Sequence, residues 1–339
     1  MNTTPTEEMF LVHYEEEPTP PHRRRVKLRR RPKWIPLVAD VAVAGVLLCL
    51  FALFHHVLPQ TYAPVTPNVP DNEVTDTPSG SLSQMEQTFD KHFTFDPVKS
   101  DTSYKSKSIT IDVTTHTMGS GANLITYYVA DVYLRSVENF RTAFADDKFG
   151  RGLSEPLLDI SKRSNALLAV SGDYYGLHNN GPVIRNGVLY RSRKSSADVC
   201  ALYRDGTMKT FAGKSFDAEK ELQNGAWQTW SFGPSLLNAD GTAATSFNST
   251  ITGKNPRCAI GYYEPGHYAF VLVDGRRDGH SCGMTMRELA KLFESMGCAA
   301  AYNLDGGRTA QMAFDQEIVN RPYLDGRNVS DIVYIGEVE

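Results

Sequence analysis

One segment near the C-terminus constrains the fold more than any other, because it predicts a strand, a helix and a second strand in succession. The run HYAFVLV (267–273) is apolar and β-branched, and the run CAAAYNL (298–304) is its counterpart. Between them, TMRELAKLFESMG (285–297) carries a capping box at Thr285 and Glu288, a one-sided apolar pattern and Gly297 as a C-terminal cap. Strand, helix and strand at this length predict a βαβ crossover near the C-terminus, with its two strands parallel neighbours in one sheet.

Both predicted strands end in an aspartate followed by a glycine, at Asp274-Gly275 and Asp305-Gly306, and a third apolar run ends at Asp173. Asp-Gly is a common turn signal. Ligands of open α/β sheets, however, lie at the carboxyl ends of the strands. Three acids at three strand ends are more than turn formation requires. Asp173, Asp274 and Asp305 are therefore candidate catalytic residues.

The rest of the C-terminal two thirds reads as strands and hairpins. SITIDVTTHT and ANLITYYVADVYL have the β-branched and aromatic composition of strands. Hairpin turns are predicted at Asn186-Gly187 and Asp205-Gly206. With no internal repeat or second linker, residues 104–339 are predicted to form a single mixed α/β (α+β) domain with a β-sheet core.

The N-terminal region predicts a membrane anchor. Residues 22–33 contain eight Lys and Arg and no acid, and the apolar segment 34–58 follows directly. About 20 apolar residues can cross a membrane, and a preceding basic flank stays in the cytoplasm. A cleaved signal peptide is the alternative, but no clear cleavage site follows the segment. The sequence thus predicts a single-pass protein of the plasma membrane with a cytoplasmic tail (1–33), a signal anchor (34–58) and an extracellular remainder.

Composition restricts the partners of that remainder. Residues 59–103 contain the Pro-, Thr- and Asn-rich run of an extended stalk. Residues 34–339 carry 27 basic and 34 acidic residues, which argues against nucleic acid as a partner. Cys200, Cys258, Cys282 and Cys298 would face an oxidising compartment, and either disulfides or free thiols are compatible with their spacing. No zinc-type spacing occurs, so neither a metal nor a cofactor is predicted, and the sequence indicates no oligomeric state.

Basic, amide and aromatic residues accompany the three acids in the sequence. Carboxylates act as acids, bases or nucleophiles at an anomeric carbon. Arginines bind phosphate oxygens through two parallel hydrogen bonds, and aromatic rings offer a face to a sugar. This combination predicts a site for a sugar that carries a phosphate. Its candidate substrate-binding residues are Arg257, Arg276, Asn303, Arg308, Tyr174 and Tyr175.

Seven segments in this order resemble the phosphodiester glycosidase family, in particular its membrane-anchored bacterial members. They are VSGDYYG, VIRNGVLYR, FGPSLL, NPRCAIG, DGRR with SCGMTMRELA, YNLDGG and VSDIVYIG, and together they cover residues 105–339. The resemblance implies hydrolysis of an N-acetylhexosamine-1-phosphodiester at the glycosidic carbon, in a cell-wall or capsular glycopolymer. It points to the three acids and to Arg257, Arg276, Asn303, Gly306 and Gly307.

The chain departs from the family at one place. The family usually has NLDGGGSS where this chain has NLDGGRTA, so Arg308 replaces a glycine and Thr309 keeps a hydroxyl. Arg308 could bind phosphate, change specificity or block the site. Two other hypotheses stand beside the glycosidase. One is a non-catalytic surface protein that binds glycan, with Arg308 blocking the inherited site. The other is a metal-dependent phosphodiesterase that cleaves the P–O bond, since acids at strand ends could hold a divalent ion.

Overall fold

The computed structural model describes residues 34–54, 58–65 and 90–338. The first helix, α1 (Trp34–Ala52), belongs to one unit of the chain (Met1–His56), and the described residues from 58 onward belong to a second unit (Val57–Glu339). In the described part of the chain, no helix combines the length and the apolar character needed to cross a membrane. The span at 34–58 stays a prediction. The predicted basic tail and residues 66–89 of the predicted stalk lie outside the described residues.

The mixed α/β fold class is confirmed for the described residues of the second unit, which are rich in strands. The helices are α2 (Leu157–Arg163), α3 (Ala218–Gln223) and α4 (Met286–Met296). The strands are β1 (Gln60–Thr61), β2 (Val98–Lys99), β3 (Ser103–Lys105), β4 (Ile109–Met118), β5 (Ile125–Leu134), β6 (Phe140–Phe144), β7 (Gly150–Arg151), β8 (Leu168–Ser171), β9 (Val183–Arg185), β10 (Val188–Arg191), β11 (Val199–Tyr203), β12 (Met208–Phe211), β13 (Ala226–Trp230), β14 (Arg257–Glu264), β15 (His267–Val273), β16 (Ala300–Leu304), β17 (Met312–Phe314), β18 (Glu317–Ile318) and β19 (Asp331–Ile335).

The largest sheet has seven strands in the order β16-β14-β15-β5-β4-β3-β2, and all its neighbours are antiparallel. Successive side chains of a strand point to opposite faces. Ile260 accordingly packs in one core with residues of the smaller sheets, such as Val333 and Trp230. Its neighbour Ala259 packs on the other face against α4. The sheet is therefore buried on both faces in its centre.

Two smaller sheets cover one face of the large one. The first has the order β18-β17-β8-β19-β6, and the second has the order β12-β11-β13. The hairpins predicted at Asn186-Gly187 and Asp205-Gly206 are confirmed as β9-β10 and β11-β12. Asn186 and Gly187 both have positive φ, as a two-residue hairpin turn requires.

The predicted helix is confirmed as α4. The side chain of Thr285 accepts a hydrogen bond from the backbone of Glu288, the reciprocal bond closes the capping box, and Gly297 ends the helix at φ 81°. The buried face consists of Met286, Leu289, Ala290 and Phe293, which pack on the seven-stranded sheet.

The prediction that β15 and β16 are neighbours is wrong. Strand β14 lies between them and pairs antiparallel with both. The sequence shows no signal for this insertion, because strand order depends on contacts between distant segments. Since β15 and β16 are both antiparallel to β14, they still run in the same direction and end at the same edge. Asp173 follows β8, which belongs to the five-stranded sheet.

Segments that the sequence predicts as stalk contribute to the second unit. Strand β1 pairs with β7, and the amides of Tyr62 and Val65 donate hydrogen bonds to Phe149 and Leu189. Strand β2 and the first residue of β3 also belong to the predicted stalk, and both strands extend the large sheet. These strands are two or three residues long and show no apolar alternation, so nothing distinguishes them from a linker in sequence. All five cysteines are free thiols.

Candidate active site

A cavity of about 550 Å³ opens beside the turn that follows β16. We call it the Asp305 cavity. Its walls come from the turn after β16 (303–308), from the segment that leads into β14 (249–251 and 255–257), and from single residues of other segments. Those single residues are Phe232, Gly233, Arg276, Met286 and Arg327.

The two glycines after Asp305 allow this turn to lie against the start of β14. A Cβ at Gly306 would lie 2.7 Å from the carbonyl oxygen of Pro256, which leaves no room for a side chain. Gly307 has φ 65°, and its amide donates a 3.0 Å hydrogen bond to that same carbonyl. The turn is also joined to the smaller sheet, because the amide of Asp305 donates to the carbonyl of Gly172 at 3.0 Å. The double glycine therefore fixes where the Asp305 carboxylate stands.

Asp305 is the acid that lines this cavity, and its environment favours proton uptake. Only 7% of the residue is exposed, and burial raises the pKa of its carboxyl to about 6. A hydrogen bond from Thr309 and the charge of Arg327 act in the opposite direction. The Arg327 guanidinium lies 3.5 Å from Oδ2 of Asp305. Above pH 6 the group is a carboxylate that faces a cavity, as a base or nucleophile must be.

Four arginines line the same cavity as this single acid. The guanidinium of Arg257 donates to the carbonyls of Met284, Ile251 and Gly253, with no carboxylate among these partners. Burial, together with the charge of Arg276, lowers the pKa of Arg257 to about 10, so it is still a cation at neutral pH. Positive charge of this density, only partly balanced by Asp305, favours an anionic ligand.

The other three arginines of the cavity lie near the loop that contains Tyr323. Arg276 and Arg308 contact this loop, and Arg327 belongs to it and lies beside Asp305. Arg276 donates to Oδ1 of Asn255 at 2.7 Å and lies over the ring of Tyr323, 5.4 Å from its centroid. Arg308 donates to the carbonyls of Gly326 at 3.0 Å and Leu324 at 3.5 Å. Arg327 packs over the ring of Tyr174 at 4.9 Å.

Asn303 lines the cavity and carries a buried polar atom that has no hydrogen-bond partner among the described residues. Its amide nitrogen donates to the carbonyl of Gly233 at 2.8 Å, which fixes the side chain. Its Oδ1 is buried and has no hydrogen-bond partner in the described part of the chain. A buried acceptor without a hydrogen-bond partner is energetically costly.

Asp173 does not line the Asp305 cavity. Its Oδ1 lies 2.8 Å from the buried guanidinium of Arg185, which also pairs with Asp331, and its Oδ2 accepts from the amide of Ser231 at 2.8 Å. The ion-paired cluster joins the end of β8 to β9, β13 and β19. The cluster is buried, and only 2% of Asp173 is exposed.

Asp274 is also buried away from this cavity, at 1% exposure. Its carboxylate accepts hydrogen bonds from Asn320 at 2.8 Å and from the amide of Arg321 at 3.1 Å, and it lies 2.7 Å from Nε2 of His280. These contacts hold the segment after β18 against the end of β15. The structure thus brings Asp305, Gly306, Gly307, Arg257, Arg276, Arg308 and Asn303 together at one cavity, and it places Asp173 and Asp274 behind its walls.

The two predicted tyrosines have different surroundings. Tyr174 has φ 58° and lines a smaller cavity beside Arg327. Tyr175 is buried in an aromatic cluster with Phe144 and Phe149, and its hydroxyl donates to the carbonyl of Lys148. Thr309 is fully buried, and its hydroxyl donates a 2.7 Å hydrogen bond to the carbonyl of Gly306, which stabilises the turn.

Sequence analysis missed several residues of the cavity wall. Arg327, the residue nearest to Asp305 among the arginines, lies 22 positions further along the chain in the run LDGRNVSD. Ser249, Thr250 and Asn255 belong to a loop without any apolar pattern. Their positions depend on how loops fold over the strand ends, for which a single sequence carries no signal.

An α+β domain with a carboxylate and four arginines around one cavity offers a binding site for an anionic ligand. A model of the phosphodiester glycosidase family matches residues 164–336. This match covers just over half of the chain, from the end of α2 to the residue after β19. The chain belongs to the phosphodiester glycosidase family.

One curated relative is an uncharacterised protein, YomE, derived from the SPbeta prophage of Bacillus subtilis strain 168. It is 32% identical over 193 residues, which is 54% of this chain and 28% of the relative. This chain therefore spans under a third of that protein's length.

Two solved structures share the fold. The zebrafish N-acetylglucosamine-1-phosphodiester alpha-N-acetylglucosaminidase catalytic domain, auto-inhibited by its pro-peptide, has a TM-score of 0.55 at 18% identity, over 68% of this chain and 84% of that one. A hypothetical protein from Synechocystis has a TM-score of 0.54 at 12% identity, over 68% of this chain and 62% of that one.

Proposed function

We propose that this phosphodiester glycosidase hydrolyses the C1–O bond of an N-acetylhexosamine-1-phosphodiester in a cell-wall or capsular glycopolymer. The observation that carries the proposal is the cavity in which Asp305, with a pKa raised to about 6, faces four arginines. The family match supports the reaction class. The sugar and the polymer rest on the resemblance of the sequence motifs.

The proposed reaction uses the two kinds of charge separately. Asp305 either takes a proton from the water that adds to C1, or adds to C1 itself to form a glycosyl ester that water then hydrolyses. The C1–O bond breaks, and its electron pair leaves with the bridging oxygen on the phosphate. Water and the diester thus give a free sugar and a phosphate monoester. A phosphate monoester has a second pKa of about 6, so it departs without a strong general acid. Arginines that stabilise its charge take the place of that acid.

This division of roles explains why a second carboxylate need not line the cavity. Most glycosidases place two carboxyl groups across the bond that breaks. We assign Asp173 and Asp274 to positioning instead of direct chemistry. Asp173 fixes the backbone at Ser231, next to Phe232 of the cavity wall, and Asp274 fixes the segment that leads to Arg327.

We also propose that the enzyme works at the outer face of the plasma membrane, with its N-terminus in the cytoplasm. The basic run at 22–33 and the apolar segment at 34–58 support this location. Protease added to intact cells should then remove a C-terminal tag and leave an N-terminal tag protected. A C-terminal tag that resists protease until the cells are lysed would contradict the proposal.

The position of bond cleavage tests the reaction. Hydrolysis is run in water enriched in oxygen-18, and both products are analysed at once by mass spectrometry, before the sugar exchanges its anomeric oxygen. The label should appear in the sugar and not in the phosphate. Label in the phosphate would show attack at phosphorus, as expected of a phosphodiesterase. Full activity after treatment with EDTA would further exclude a dependence on an exchangeable metal.

The non-catalytic alternative requires Arg308 to obstruct the cavity. Its guanidinium donates hydrogen bonds to the carbonyls of Leu324 and Gly326, which hold the side chain against the cavity wall. A panel of sugar-1-phosphodiesters incubated with residues 58–339 decides between the two: binding without turnover of any member would favour the glycan-binding protein.

A further inference from the structure

Two smaller cavities continue from the Asp305 cavity, and we call them the middle cavity and the outer cavity. The middle cavity, of about 150 Å³, shares Arg327 with the Asp305 cavity and is also lined by Tyr174 and Leu177. The outer cavity, of about 380 Å³, lies between the N-terminal segment 62–65 and the hairpin β9-β10.

The middle and outer cavities are adjacent along two chain segments. Gly150 and Arg151 line the outer cavity, and Gly152 lines the middle one. In the same way, Leu177 lines the middle cavity and Asn179 the outer one. The three cavities therefore form a row. Arg327 is shared by the Asp305 cavity and the middle cavity, and these two chain segments join the middle cavity to the outer one.

The lining of this row is strongly positive. Seven arginines line the three cavities, and Asp305 is the one acid among their lining residues. The chain as a whole has a formal net charge of −4, so the concentration of cations here is local. A groove of one charge sign attracts a ligand of the opposite sign along its length.

The outer cavity has the chemistry of a second sugar-phosphate site. Arg151, Arg191 and Arg193 supply positive charge, and the rings of Tyr62 and Tyr190 supply faces for a sugar. Arg191 is 8% exposed and donates to the carbonyls of Gly181, Tyr175 and His178, while its Nη2 is buried without a hydrogen-bond partner in the described residues. Arg191 donates no hydrogen bond to a carboxylate, and its charge adds to that of Arg151 and Arg193 at this cavity.

We propose that the three cavities form one binding track for a polyanionic chain of sugar-phosphate repeats. One repeat is cleaved at Asp305 while another is held at Arg151, Arg191 and Arg193. This inference rests on the proposed function, and it adds that the enzyme recognises a polymer through at least one repeat beyond the bond that breaks.

The test compares substrates of different length. The probes are N-acetylglucosamine units joined by 1→6 phosphodiesters, with one, two and four repeats. The double variant Arg151→Ser/Arg193→Ser changes the outer cavity only. The matched control, Arg287→Ser/Lys291→Ser, removes two exposed charges from α4, which is remote in sequence from the outer cavity.

We expect kcat/KM on the single-repeat probe to be the same in the wild type and both variants. On the four-repeat probe, the outer-cavity variant should lose roughly three- to tenfold in kcat/KM, and the α4 variant should lose nothing. The loss should shrink at high salt, as screening weakens exposed charge contacts. An equal loss on all three probes, or no loss on the longest, would overturn the track.

A binding measurement separates failure of the track from failure of the proposed reaction. Fluorescently labelled probes are titrated against Asp305→Asn protein with and without the outer-cavity changes, which requires no turnover. Tighter binding of four repeats than of one, lost in the outer-cavity variant, supports the track even if no probe is hydrolysed. A single-stranded oligonucleotide of equal charge serves as competitor; if it competes as well as the four-repeat probe, the row binds polyanions without regard to sugar and the proposal fails.

Discussion

At the residue scale, Asp305 combines burial, a raised pKa and access to a cavity. We predict that Asp305→Asn lowers kcat at least about a hundredfold while the fold is retained, because a positioned carboxylate commonly contributes that much. Steady-state kinetics on a sugar-1-phosphodiester measure the loss, and circular dichroism checks the fold. Asp278→Asn, an exposed acid of the loop after β15, is the control and should have normal activity. A near-normal rate for Asp305→Asn would make Asp305 a turn residue only.

The ionisation of Asp305 predicts the pH dependence of the enzyme. Because burial raises its pKa to about 6, and because the carboxylate is the active form, kcat/KM should fall as the pH drops through about 6. Arg327 stabilises the carboxylate from 3.5 Å, so Arg327→Ser should shift this acid limb to higher pH, and Arg327→Lys should shift it less. The measurement is kcat/KM from pH 4.5 to 8.5. An acid limb that does not move in Arg327→Ser would show that another group controls it.

At the scale of elements, the segment between β18 and β19 carries Arg327 and is held by contacts from the turn after β16. Leu324, Asp325 and Gly326 all have positive φ, a conformation that non-glycine residues adopt only when their surroundings impose it. Arg308 supplies part of that constraint through the carbonyls of Leu324 and Gly326. The residue that departs from the family pattern thus holds the loop that positions Arg327.

This role predicts the result of Arg308→Gly. The loop should loosen, kcat/KM should fall several-fold, and the free energy of unfolding should fall by about 1 kcal/mol, since these hydrogen bonds are partly exposed. Kinetics and urea unfolding give the two values. Arg277→Gly is a useful comparison, because Arg277 reaches Asp325 only at 4.0 Å. Increased activity in Arg308→Gly would instead identify Arg308 as an obstruction.

At the scale of the whole second unit, the described N-terminal segment is part of the folded structure. Strand β1 completes a sheet with β7, and Tyr62 packs against Phe149. We predict that a fragment starting at residue 90 melts at a lower temperature than one starting at 58 and has the same kcat/KM on a single-repeat substrate. Differential scanning calorimetry and kinetics of the two fragments test this. Equal melting temperatures would show that the segment contributes nothing to stability.

By itself, the sequence determined the features that depend on neighbours along the chain. Helix α4 and its caps, the two hairpins and the Asp-Gly-Gly turn follow from periodicity, capping and turn chemistry, all of which act within a few residues. It also determined that Asp274 and Asp305 end strands that run in the same direction, and its ordered motifs predicted the family.

Only the tertiary structure decided which of these residues share a site. Strand β14 lies between β15 and β16 and pairs with both, and its two faces are covered by α4 on one side and by the smaller sheets on the other. Asp173 and Asp274 became buried partners of Arg185 and His280, while Arg327 came from a distant loop to Asp305. The reason is physical: strand order, ion pairs and loop positions are set by which distant surfaces exclude water together, and this information is spread over the whole chain rather than any local pattern.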